Sequence, residues 1–250
     1  MIELLIGIGI WLFLWILFWG VFVYGLQNRG IDYIHKYGLT ATYFIFVSSL
    51  MIYLFRDYIL HLIKDFTIVP FIFLILMFVF KIATYNFSNR YIVRPRKIVN
   101  IIKEHHIQFL AMKYKHIISK SAEIFFQQVL IILLVVFLAS HGFNLLQIII
   151  IFSVIFSFAH IYCLKIDGFG FGLLFLISAS ISSIVFPTLI LKVNYGFVYS
   201  YIIHNLFYSV TGIVLWIHYG HRKAISIKRP KKKIVKKSIK KVKKKKSSKK

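Results

Sequence analysis

Ionisable side chains are costly in hydrocarbon, so Glu123, His160 and His204, each within an otherwise apolar stretch, are the first residues to ask chemistry of. A carboxylate and two imidazoles brought together could activate water as a general base or pass protons in a relay. Their neighbours add to this. Glu123 and Gln127 are four residues apart and share a helical face, with Gln128 beside them. His160 follows Phe156 by four, and His204 precedes Tyr208 by four with Asn205 adjacent. Each residue alone also fits a satisfied polar group bridging two helices. Three at compatible depth point to a site.

The elements that must position them are membrane helices. Of the 250 residues, 59% are hydrophobic, 18% aromatic and only 16% charged, with a mean hydropathy of +0.79. A single cysteine, Cys163, excludes a disulfide scaffold and zinc sites built on cysteine pairs. A spanning helix needs about 20 mostly apolar residues. Stretches of that kind run Leu4–Leu26, Leu39–Phe55, Thr67–Tyr85, Ala122–Ser140, Asn144–Cys163, Gly168–Leu191 and Gly196–Tyr219. The expected fold is therefore all-α, a polytopic transmembrane bundle of about seven spans. The first stretch lacks a basic start and a cleavage site and reads as a retained span. Tyr58–Ile63 reads as an amphipathic continuation of the second, Lys81 as a residue snorkelling to the nearer interface, and Pro187 as a bend in the sixth.

The net charge of +25 is concentrated. Residues 222–250 hold 17 of the 32 Lys and Arg and no acid. A second basic segment lies between spans three and four and includes Arg90, Arg94, Lys113 and Lys120. Four spans separate the two, so both fit on the cytoplasmic side, with the amino terminus outside. The expected organisation is three spans over 1–85, a basic linker over 86–120 with an interfacial amphipathic helix, a four-helix core over 121–219, and a disordered Lys-rich tail over 220–250.

The motifs Ala122-Glu123-Ile124-Phe125-Phe126-Gln127-Gln128, Phe156-Ser157-Phe158-Ala159-His160 and His204-Asn205-Leu206-Phe207-Tyr208 resemble those of the CPBP family, intramembrane proteases related to type 2 CAAX prenyl endopeptidases and bacteriocin-processing proteins. The family pattern is EExxxR, then FxxxH, then HxxxN or a relative of it. FxxxH is intact. Ala122 stands where the family has its leading Glu, Gln127 where it has Arg, and Tyr208 where it has Asn. The resemblance covers roughly residues 119–216. It implies a catalytic set of Glu123, His160, His204, Gln127 and Tyr208, in which Glu123 activates water and Tyr208 donates to an oxyanion. It also implies that Glu123, His160 and His204 could hold a divalent metal such as zinc, with one position open. The substrate would be a peptide or membrane protein entering from the cytoplasm.

Other patterns carry less. There is no HExxH. Glu104, His105 and His106 read as solvated side chains of the linker. Gly168, Gly170 and Gly172 read as the start of span six, permitting close packing, and Ser178, Ser180, Ser182 and Ser183 as interhelical hydrogen-bonders. Tyr195, Tyr199 and Tyr201 read as an interfacial belt. The tail points to anionic lipid headgroups of the bilayer ahead of nucleic acid or ribosome contact, because it lacks interleaved aromatics. The expectation is a CPBP-like endopeptidase, with two rivals: an inactive peptide-binding scaffold, and a small proton-coupled transporter using Glu123 and the histidines.

Overall fold

In a bilayer every backbone polar group must be paired within the protein, and long apolar runs meet that demand as helices. The computed structural model describes residues 2–62, 67–105, 107–161, 164 and 168–222. Helix α1 (Ile2–Gly20) continues through a π turn and a short 3-10 turn to Arg29. Then come α2 (Tyr37–Leu54), the short α3 (Arg56–Ile59) and α4 (Val69–Tyr91). The linker carries α5 (Arg96–His105), and the second half of the chain forms α6 (Tyr114–Ser140), α7 (Leu145–Ile161), α8 (Gly168–Lys192) and α9 (Gly196–Tyr219). Among the described residues six helices are long and apolar enough to cross a membrane, α7 being apolar but shorter at 17 residues. The all-α polytopic bundle is thus present, and the chain is an integral membrane protein.

Helix α6 is the axis. It is buried along most of its length, whereas the other five candidate spans bury a third of their residues or fewer. One side packs on α1 and α2, where Phe22, Phe44 and Phe126 form a continuous aromatic contact. The other side faces α4 and α9, and α7 and α8 pair beside them. Gly196 makes the turn from α8 to α9 possible, since a Cβ there would stand 1.7 Å from the Leu189 carbonyl oxygen. Pro187 lies inside α8 and removes one amide donor from it.

The linker is tied into the bundle. Ile98, Phe109 and Met112 are buried against Tyr85, Ile117 and Trp216, and the Trp216 indole donates to the Leu110 carbonyl at 2.7 Å. A two-residue antiparallel clip joins β1 (Ile92–Val93) to β2 (His221–Arg222). The linker and the start of the tail therefore lie at one end of the bundle. The disordered character expected of residues 223–250 lies outside the described residues, as do the side chains of Glu104, His105 and His106.

Several local expectations are corrected. Lys81 does not snorkel: it is 2% exposed and hydrogen-bonded inside the bundle. Lys120 is not a linker residue, because α6 begins at Tyr114, eight residues before Ala122. Tyr201 does not join a belt, as its hydroxyl donates to the Ser121 carbonyl at 3.1 Å. Ser178, Ser180 and Ser183 bond back to carbonyls four residues earlier in α8, and only Ser180 also meets a serine of another helix, Ser157 at 3.4 Å. Gly168 does start α8, with a positive φ of 75°, but a Cβ on Gly170 would meet open space, so close packing does not require that glycine.

Candidate functional site

Residues spaced by three and four share a helical face, and α6 carries a long polar stripe of this kind: His116, Ser119, Lys120, Glu123 and Gln127. Glu123, 1% exposed, is its centre. Its Oε1 accepts from the Lys120 ammonium at 2.6 Å and from the Gln127 amide at 2.8 Å. Its Oε2 is buried, and the Tyr33 phenol also bonds to this carboxylate. The Glu123–Gln127 contact follows directly from the four-residue spacing.

Lys120 links this carboxylate to the second group of site residues. Its ammonium lies 4.1 Å from the Tyr208 ring centroid, a cation–π distance. Tyr208 lines a cavity of about 260 Å³ bounded by α7, α8 and α9, and His160 and His204 line the same cavity. His204 stacks on Tyr208 with centroids 5.8 Å apart, and its Nδ1 is buried without a hydrogen-bond partner. His160 packs edge-on against Phe156 at 4.5 Å and its Nδ1–H donates to the Phe156 carbonyl at 2.8 Å. That bond leaves Nε2 as the nitrogen that can accept a proton. The four-residue step from Phe156 to His160 thus orients the imidazole through both ring packing and a backbone bond.

The structure therefore brings His160, His204 and Tyr208 to one cavity, and joins Glu123 and Gln127 to it through Lys120. It does not place Glu123 on the cavity wall. Among the described residues no three His, Cys, Asp or Glu side chains form a group that could hold a metal ion. Glu123, His160 and His204 therefore do not form such a group in this structure.

Three participants were not anticipated. Lys120 was hidden by its assignment to the linker, although its three-residue spacing from Glu123 was a visible signal. Lys81 reaches across from α4 to Ser121 at 2.8 Å and Asn205 at 2.7 Å, partners with no local sequence signature. Tyr33, in the loop between α1 and α2, covers the stripe: its carbonyl accepts from Ser119 Oγ at 2.9 Å, and its ring lies 5.7 Å from that of His116. Burial first, and the nearby Glu123 carboxylate second, hold the Tyr33 phenol well above its ordinary pKa, so it stays protonated. Asp32 shapes this loop, accepting the backbone N–H groups of Ile34 at 2.8 Å and His35 at 2.6 Å.

No protein-family model, curated protein or solved structure matches the chain.

Proposed function

We propose that the chain is a CPBP-like intramembrane endopeptidase in which Glu123 is the general base. The observation that carries this reading is the bridge made by Lys120, which pairs with a buried carboxylate on one side and contacts the wall of a histidine-lined cavity on the other. Water attacks the scissile carbonyl while the Glu123 carboxylate takes its proton. The carbonyl oxygen gains the negative charge, and Lys120 and the Tyr208 hydroxyl are the groups placed to stabilise it. As the C–N bond breaks, the proton held by Glu123 passes to the leaving amine. His160 and His204 hold the substrate in the cavity, and Gln127 fixes the carboxylate rotamer through its bond to Oε1.

The orientation that serves this reading puts the linker and tail in the cytosol, where the basic segments belong. The two segments start at one end of the bundle, consistent with that arrangement. The tail's 17 basic residues then lie beside anionic headgroups, each contributing about 1 kcal/mol near the surface.

A second reading has its own support. Oε1 of Glu123 is already engaged by Lys120 and Gln127, and Ala122 stands where the family has a second Glu. The loss of the family's leading Glu at Ala122 and the engaged Oε1 favour a relative that binds peptides without cutting them. Purified protein in lipid nanodiscs, incubated with a membrane-peptide library, separates the two. Cleavage by the wild type that falls about 10²–10⁴-fold in Glu123→Gln establishes the peptidase. Peptide binding without cleavage establishes the scaffold.

A further inference from the structure

A lysine buried among helices without a carboxylate partner is expensive in a membrane and calls for a function. Lys81 is such a residue. It sits on α4 in a stripe of buried positions at helical spacing, Lys81, Thr84, Tyr85 and Ser88, that faces the interior of the bundle. Among the described residues none of the ion pairs involves it. Its ammonium instead donates to Ser121 Oγ on α6 and to Asn205 Oδ1 on α9. Ser121 Oγ also donates to Asn205 Oδ1 at 3.1 Å, so the three side chains close a triangle spanning three helices.

The corners of this triangle adjoin the site. Ser121 is one residue from Lys120 and two from Glu123, and Asn205 follows His204 directly and lies three residues before Tyr208. A rotation of α9 about its axis would move His204 and Tyr208 away from Lys120, and Asn205 is where the other two helices grip it. The Asn205 amide N–H donates to the Tyr201 carbonyl at 3.1 Å, which turns Oδ1 toward Lys81. The apolar surfaces of helices in lipid supply little directional preference, whereas polar contacts select one register.

We propose that Lys81 is a positioning residue of the candidate site: by bridging Ser121 and Asn205 it sets the rotation of α9 against α6, and so holds His204 and Tyr208 against Lys120 and Glu123. This rests on the peptidase reading for its consequence in turnover, but not for its geometry. Replacing a buried polar bridge by apolar side chains often preserves stability, so register and stability can be separated.

The test uses the full chain with Cys163→Ser and a cysteine pair, Gln128→Cys and Ser200→Cys, at positions whose native side chains bond across α6 and α9. A Cys side chain is shorter than Gln, so the pair is joined with a short thiol-to-thiol cross-linking reagent, whose rate of closure reports the register without any need for catalysis. Lys81→Met combined with Asn205→Leu should keep the melting temperature of the parent while slowing cross-linking on the order of tenfold, the weight of a hydrogen bond to a charged group. In the chain without the cysteine pair, the same double variant should lower kcat for peptide hydrolysis by a similar factor and also raise KM, because the displaced His204 holds the substrate. Ser121→Ala, which removes one acceptor and keeps the cation, should give the same pattern in milder form if the double variant fails to fold. Cross-linking that stays at the parental rate overturns the proposal, as does cross-linking that falls only in step with melting temperature. Slowed cross-linking in a chain that hydrolyses no peptide supports the role of Lys81 and overturns the peptidase reading alone.

Discussion

The two sides of α6 are built on different physics. Toward α1 and α2 it presents Phe126, Leu130 and Leu134 to Trp11, Phe44 and Met51, and the cavity left there, of about 160 Å³, is lined mainly by apolar side chains such as Ile10, Leu14 and Phe137. Toward α4 and α9 it presents Ser121 and Gln128 to Lys81, Ser200 and Asn205, and the cavity beyond them is lined by two imidazoles. Packing holds most of the first side, where many side chains of similar volume would serve, with a buried hydrogen bond from the Trp11 indole N–H to the Leu130 carbonyl at 2.7 Å. Hydrogen bonds hold the second, each needing a named partner at a fixed distance. Where a protein takes on that demand in a membrane, the polar side is the one to associate with function.

The largest effect is expected at Lys120. Lys120→Met leaves Glu123 buried without its cation, and loss of one partner from a buried pair costs about 3–5 kcal/mol. Unfolding in detergent should show that loss, and peptide cleavage should disappear with it. On the apolar side, Phe44→Ala should cost about 3 kcal/mol through the cavity it opens. Its kcat per folded molecule should stay at the wild-type value. A Phe44 variant that folds well but has lost turnover would mean that the two sides are not separable.

Smaller effects sharpen the boundary. Ser119→Ala removes a single bond to the Tyr33 carbonyl and should cost about 1 kcal/mol, read as earlier unfolding and as faster amide exchange in the loop between α1 and α2. The smallest is a pH effect in that loop. Burial opposes ionisation of Asp32, but the bonds from His35 and Ile34 outweigh it and hold the carboxyl below its usual value of 3.8. A lowered native value means that the stabilisation is complete above that usual value and lost as the pH falls through the lower one. Exchange at the amides of Ile34 and His35 should therefore accelerate only in that acid range. In Asp32→Ala, which removes the acceptor, it should be fast at every pH.

Much of the architecture was legible because apolar length and charge-free runs are local properties. Gly196–Tyr219 spans the residues its hydropathy indicated, and the pairing of Glu123 with Gln127 follows from helical spacing alone. The start of α6 was not legible in that way. Lys115 and Lys120 interrupt the apolar run, and a filter that penalises charge ends the span at Ala122, although His116, Ser119 and Lys120 continue the stripe. Lys81 was misplaced for a related reason. A lysine inside a span ordinarily reaches for water, and its real partners lie 40 and 124 residues along the chain. Tyr33 belongs to a loop whose contact with Glu123 depends on how α2 docks on α6, which no local pattern encodes.

In the proposed peptidase, Glu123 and the histidine cavity are a single site joined through Lys120. A double-mutant cycle on peptide hydrolysis tests it, comparing wild type, Glu123→Gln, His204→Ala and the double variant. Residues that act as a unit are strongly non-additive. The double variant should therefore be no slower than the worse single variant. Losses that multiply, with the double variant slower by the product of the two, would show that the carboxylate and the imidazole act independently and would contradict the claim.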